Sequence, residues 1–217
     1  MGGQAQMTSR EGLYGGISLG YFHYTTHWYY HGGGTYYDNY ASHGINRLVV
    51  SLSLEKKALA EAGHFNLDLG GELLLGPLGS AKANYISGDN KISSGGWAVG
   101  LNTFCRAVYM PSSTGNSNSF FPFISLGPQY MYLHNNGKGD APAIQQYHYS
   151  DGWNEGVLLL AASIGVDFHL DNVVLTPELR FPLFGWNSTD WEPGGRDVSM
   201  DGGPGFIAFG LRVAKRL

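Results

Sequence analysis

EGVLLLAASIGVDFHLDNVVLTPELRFPLFGW, residues 155–186, carries a clear strand pattern. Two apolar arms flank Asp171-Asn172, a pair that tolerates the positive φ angles of a tight two-residue turn, so a long β-hairpin is expected. In the first arm Leu158, Leu160, Ala162, Ile164, Val166, Phe168 and Leu170 share one parity, while Ala161, Ser163, Gly165, Asp167 and His169 share the other. The second arm sets Val173, Leu175, Leu179, Phe181 and Leu183 against Thr176, Glu178 and Arg180. Each arm is long enough to cross a bilayer, for which a tilted strand needs roughly 9–11 residues. Strands can sit in lipid only where a closed barrel leaves no backbone group unpaired.

Working outward, the same alternation recurs. Strand 1 is expected over residues 12–24, with Leu13, Ile17, Leu19 and Tyr21 on one face, followed by a Tyr-, His- and Gly-rich loop over 25–46. Strand 2, residues 47–56, sets Leu48, Val50, Leu52 and Leu54 outward and Arg47, Ser51, Ser53 and Glu55 inward. A short connection over 58–63 leads to strand 3, where Phe65, Leu67, Leu69, Leu73 and Leu75 oppose Asn66, Asp68, Gly70 and Glu72. After a long polar connection, strand 4 covers residues 97–110, with Val99, Leu101, Cys105, Ala107 and Tyr109 opposing Gly100, Asn102, Phe104 and Arg106. Strand 5 carries Ile124, Leu126, Tyr130 and Tyr132, and is the weakest because Pro122 and Pro128 each remove a ladder donor. A loop over 134–154 precedes the hairpin, which supplies strands 6 and 7, and GFIAFGLRVAKRL closes the chain as strand 8. Connections are long after strands 1, 3, 5 and 7 and shorter after 2, 4 and 6, the asymmetry of transmembrane barrels. The expected fold is all-β: an eight-stranded antiparallel up-and-down transmembrane β-barrel in one domain spanning 1–217, with a short non-barrel segment at 1–11.

Composition points the same way. Charged residues make up 14% of the chain and aromatics 14%, with 33 glycines among 217 residues, against ~25% charge in ordinary soluble domains. A net charge of −4 without any basic cluster argues against nucleic acid as a partner. No apolar run approaches the ~18 residues of a membrane helix. Residues 1–10 lack the apolar core of a signal peptide, so export is an expectation drawn from the rest of the chain. The single Cys105 permits no internal disulfide and reads as a small apolar strand residue.

Aromatic residues mark one end. Trp28, Trp97, Trp153, Trp186 and Trp191 fall in the long loops or at the strand ends beside them, accompanied by Tyr29, Tyr30, Tyr130, Tyr132 and Tyr147. Amphipathic rings favour the headgroup zone, so Trp28, Trp97, Tyr130, Tyr132, Trp153 and Trp186 are expected to form a girdle. With strand number, loop asymmetry and a chain ending on its last strand in hand, residues 12–217 resemble the eight-stranded outer-membrane β-barrel proteins of the OmpA-like and OmpX-like group. The resemblance is architectural and rests on no specific motif. That group's last strand usually ends in an aromatic residue, whereas this one ends in Leu217 with Lys215 on the outward parity. The resemblance implies a Gram-negative outer membrane, an exported precursor and no cofactor. Lipopolysaccharide, and another outer-membrane protein or a surface ligand reached through the loops, are the implied partners.

If the apolar parity faces lipid, the interior receives Arg47, Glu55, Asp68, Glu72, Arg106, Asp167, Glu178, Arg180 and Arg212. Expected pairings are Glu72 with Arg106 across strands 3 and 4, and Glu178 or Arg180 with Arg212 across strands 7 and 8. Small eight-stranded barrels are filled by side chains, so this cluster reads as a structural plug, with a narrow gated ion path as the functional alternative. Tyr147-His148-Tyr149-Ser150 resembles the His-x-Ser element of outer-membrane lipid A deacylases, yet it lies in a loop with two strands to follow, where polar residues are ordinary. His23, His27 and His31 are about 13 Å apart along an extended strand, too far for one ion. The HGGG at 31–34 resembles an esterase oxyanion loop, but no G-x-S-x-G accompanies it, and the sequon at Asn187 means little in a bacterial barrel. No catalytic, metal or cofactor site is expected. The role expected is structural or interactional: membrane integrity, adhesion, or a subunit of an outer-membrane assembly. A small passive pore, a lipid A-modifying esterase and a soluble lipocalin-like barrel with the parity inverted are the alternatives.

Overall fold

The computed structural model describes residues 10–30, 39–77, 81–85, 92–111, 119–139, 153–170, 172–189, 198–199 and 205–217, and at the outer ends of the strands it describes the backbone alone. The strands are β1 (Gly12–Tyr30), β2 (Asn39–Ala62), β3 (Phe65–Pro77), β4 (Ala81–Tyr85), β5 (Ile92–Tyr109), β6 (Ser119–Gly139), β7 (Trp153–Leu170), β8 (Val173–Thr189), β9 (Val198–Ser199) and β10 (Gly205–Arg216). Every pairing is antiparallel. The order β1-β2-β3-β5-β6-β7-β8-β10 returns to β1, so eight strands close a barrel, with β4 added to the outer part of β2 and β9 to the tip of β1.

The alternation seen in the sequence becomes two surfaces. Ile17 is 60% exposed, Leu101 61% and Ile124 64%, while Lys57, Asp68 and Asp167 on the opposite parity are 0% exposed. A soluble barrel would place these sets the other way round, so the inverted alternative is excluded by the geometry. An apolar outer wall around a charged interior is stable only where lipid replaces water outside.

The turns explain the strand ends. Ala62 pairs with Phe65, leaving Gly63 and His64 as a two-residue hairpin loop, and Gly63 takes the positive φ of 62° that such a turn asks of its first residue. Leu170 pairs with Val173, so the turn of the central hairpin falls at residues 171–172. Ala58 is the one non-glycine with positive φ among the described residues, so Asn172 completes its turn without the left-handed backbone expected of it. The N-terminal end of β1 and the C-terminal end of β10 lie at this same end, where the Leu217 N–H donates to the Leu13 carbonyl at 2.9 Å.

Three departures have local causes. β2 does not stop at residue 56: it runs to Ala62 through a bulge between Lys56 and Ala60, with Ala58 at φ 52° and its freed N–H donating to Asp68 Oδ1 at 2.8 Å. β6 is continuous despite its prolines. Pro128 sits where the ladder to β5 lapses between Gln129 and Leu126, and Gly127 is needed there because a Cβ would stand 1.8 Å from the Thr103 carbonyl oxygen. In β8 the register shifts beside Pro182, and both Leu183 and Phe184 face outward.

At the opposite end the strands extend well past the expected limits. Residues 25–30 and 39–46, read as loop, continue the β1–β2 ladder through Tyr30 opposite Asn39, and β6 and β7 reach Gly139 and Trp153. Outside lipid, alternation of apolar residues is not required, so a polar Tyr/His/Gly strand gives no periodic signal.

Candidate functional site

The inward positions of the barrel build two layers. Toward the end with short turns, the inward parity of the strands supplies charge: Glu55 and Lys57 from β2, Asp68 and Glu72 from β3, Arg106 from β5, Asp167 from β7, Glu178 and Arg180 from β8, and Arg212 from β10. Arg10, just ahead of β1, enters from the same end. Five cations thus face five carboxylates, and these ten side chains are between 0% and 11% exposed.

Asp167 is the hub. It accepts from Lys57 Nζ at 2.5 Å, Thr176 Oγ1 at 2.7 Å and Arg10 Nη2 at 3.3 Å, with Arg106 Nη1 at 3.8 Å. Arg106 donates to Glu55 Oε1 at 2.7 Å, lies 3.6 Å from Glu178 Oε2, and its guanidinium stands over the Phe123 ring at 4.0 Å. Arg180 donates to Glu72 Oε2 at 2.9 Å, to Glu178 Oε1 and to Gln129 Oε1. Asn102 Nδ2 donates to Glu72 at 3.0 Å. Each carboxylate is held by at least one cation, so the layer is charge-matched.

The expected pairings are corrected by register. Glu72 lies opposite Asn102 on β5, and Arg106 lies opposite Asp68, four residues nearer the short-turn end. Four residues along a strand is about 13 Å, so Glu72 takes Arg180 and Arg212 instead, and Arg106 reaches past β3 to Glu55 on β2. Likewise Arg212 lies opposite Thr176 and points to Glu55 at 3.5 Å and Glu72 at 3.8 Å, while Glu178 and Arg180 pair with each other. The ion pairs of this interior therefore include one across the lumen, Glu72 on β3 with Arg180 on β8, and one within a strand, Glu178 with Arg180 on β8.

Two members of the layer lie outside the sequence expectation. Lys57 falls one residue beyond the expected end of strand 2, although Ser51, Ser53, Glu55 and Lys57 share one parity and carry that signal. Arg10 precedes any strand, and no periodicity could have shown it. The backbone of Arg47 pairs with Phe22, and its side chain lies outside the described residues.

Above the ionic layer the interior changes character. Val49, Leu74, Ala98, Met131, Leu133, Val157 and Leu159 form one buried apolar cluster with Ala208 against it. A cavity of about 50 Å³ lies where the layers meet, between Glu72, Gln129, Glu178 and Arg180 on one side and Val49, Leu74, Met131 and Ala208 on the other, with room and polarity for water. At the short-turn end, Tyr14, Val174 and Ala214 form one small buried apolar group, and Val108, Met110 and Phe123 form another.

Of the expected girdle, Trp97 is exposed at the long-loop end, with Tyr132 and His134 both 5.5 Å away between ring centroids, and Tyr130 is exposed on the same face. Trp28, Trp153 and Trp186 lie on β1, β7 and β8, with side chains outside the described residues, as is all of Trp191. A second aromatic group, Phe65, Tyr109 and His64, marks the other rim. Tyr147, His148 and Ser150, and the HGGG stretch, lie outside the described residues, and His23 and His27 are described by backbone alone. Among the described residues no group of His, Cys, Asp or Glu is placed to hold a metal ion.

A closed barrel, an apolar outer belt and a buried ionic interior define a transmembrane β-barrel. No protein-family model matches the sequence, and no curated protein matches it. Solved structures of similar shape include the attachment invasion locus protein Ail of Yersinia pestis in complex with the heparin analogue sucrose octasulfate, 12% identical with a TM-score of 0.46, over 95% of this chain and 99% of that one. Ail in a second structure has a TM-score of 0.41 at the same identity and coverage. A major outer membrane protein of Thermus thermophilus is 12% identical with a TM-score of 0.44, over 93% of this chain and 99% of that one.

Proposed function

We propose that this chain resides in a bacterial outer membrane and acts there as a structural or interaction protein, through its extracellular end and its lipid-facing wall, rather than by transport or catalysis. The observation that carries this reading is the filled lumen: a charge-matched ionic layer is stacked beneath an apolar layer in which Leu133 and Val157 are fully buried. A solute would have to break buried ion pairs, at a cost of several kcal/mol, and then pass the apolar cluster above them. The extracellular end supports the interaction role. β1 has 19 residues and β2 has 24, against the roughly 9–11 that a membrane crossing needs, so the hairpin carries its ladder beyond the bilayer, widened by β4 and β9. Its Tyr-, Trp- and Gly-rich composition suits adaptable contacts with lipopolysaccharide sugars, a surface ligand or a neighbouring membrane protein.

The test is conductance across a planar bilayer after reconstitution of the full chain. No stable current steps above those of protein-free bilayers are expected. Reproducible steps with a defined unit size would replace this reading with that of a small passive pore.

A further inference from the structure

Nine of the ten charges in the ionic layer stand on barrel strands, and the tenth, Arg10, does not. Its guanidinium forks onto Asp68, with Nη2 at 2.6 Å from Oδ2 and Nη1 at 3.4 Å from Oδ1, and Nη2 also donates to Asp167 at 3.3 Å. One face lies over the Phe121 ring at 5.4 Å, and the side chain is 1% exposed. A planar fork on a carboxylate, a second carboxylate beside it and an aromatic face are the three elements that select guanidinium over ammonium. The entry is also built. Gly12, at φ 154°, lies where the chain passes from the barrel wall toward Arg10, and a Cβ there would stand 2.8 Å from Arg216 Nε. Withdrawing Arg10 unpairs no barrel strand, because β1 begins at Gly12 and its ladders to β2 and β10 do not involve residue 10. It would, however, leave five buried carboxylates against four cations. Asp68 would keep the Ala58 N–H and a distant Lys57 at 3.9 Å, while Asp167 would keep Lys57 and Thr176.

We propose that the short-turn mouth of the barrel is a guanidinium-binding site formed by Asp68, Asp167 and Phe121, and that Arg10 is its resident ligand, a latch that ties the two-residue segment Arg10-Glu11 ahead of β1 to the mouth. The site is separable from its ligand: it belongs to the wall, and Arg10 belongs to the segment.

The experiment uses the full chain refolded in detergent micelles, with heat unfolding followed by gel mobility, for the wild type, Arg10→Ala and Arg10→Ala/Asp68→Asn. The probes are methylguanidinium and methylammonium at low millimolar concentration. Arg10→Ala is expected to unfold roughly 10 °C below the wild type. Methylguanidinium should return a large part of that loss with a saturable dependence, methylammonium should not, and neither the wild type nor the double variant should respond to either. An Arg10→Ala variant as stable as the wild type would overturn the proposal, as would a loss that methylguanidinium does not restore, or a restoration that persists with Asp68→Asn. If Arg10→Ala does not fold, Arg10→Lys takes its place. It keeps the charge without the fork, should be less stable than wild type, and should gain from methylguanidinium. A wild-type-like Arg10→Lys would show that charge alone suffices and would likewise refute a guanidinium site.

Discussion

The two layers of the lumen solve the same problem by opposite means. The ionic layer fills the barrel with directed contacts: Asp167 is held by Lys57, Arg10 and Thr176 at once, and removing a cation upsets the balance of five buried charges against five. The apolar layer closes it with non-directional contacts among Val49, Leu74, Met131, Leu133, Val157 and Leu159, where what matters is volume. The outer wall has one solution, because lipid favours apolar residues at outward positions. The interior has two, and this difference decides which features respond to charge and which respond to size.

The contrast is tested most severely at its hub. Asp167→Ala leaves five buried cations to four carboxylates, with Lys57 reduced to Glu55 at 3.5 Å and Asp68 at 3.9 Å, and should destabilise the barrel by about 3–5 kcal/mol, read from the urea midpoint in micelles. Leu159→Ala in the other layer removes packing without stranding a charge and should cost about 3 kcal/mol. The layers should then separate in kind. A cycle of Glu72→Gln and Arg180→Met should show a coupling of about 2 kcal/mol, the double change costing less than Arg180→Met would suggest on its own. An uncoupled pair would mean that the ionic layer is filled by volume alone, like its neighbour. Smallest is Ser125→Ala, which removes one hydroxyl partner of Ser163 in the wall between β6 and β7 and should shift the midpoint by about 1 kcal/mol or less.

The wall was legible in the sequence because lipid enforces a period of two, as in Leu48, Val50, Leu52 and Leu54 or in Ile164, Val166, Phe168 and Leu170. The interior was legible where it is ionic, since charge at an inward position is unmistakable. It was illegible where it is apolar: in GVLLLAAS the inward Val157 and Leu159 are as greasy as the outward Leu158, so the run shows no alternation to read. Ion partners were hidden for a different reason. Sequence gives parity, but Glu72 meets Arg180 through the stagger and curvature of the closed barrel, which set the height of each strand against those across the lumen. The extended outer hairpin escaped because nothing outside the membrane enforces the pattern by which strands are recognised.

Lipid contact at the apolar parity is the claim on which all of this rests, and the direct measurement is far-ultraviolet circular dichroism with gel mobility before and after heating, on the chain refolded with and without detergent micelles. β-structure and a compact, heat-sensitive band are expected with micelles only. A β-rich monomer that folds and stays soluble in plain buffer would contradict it.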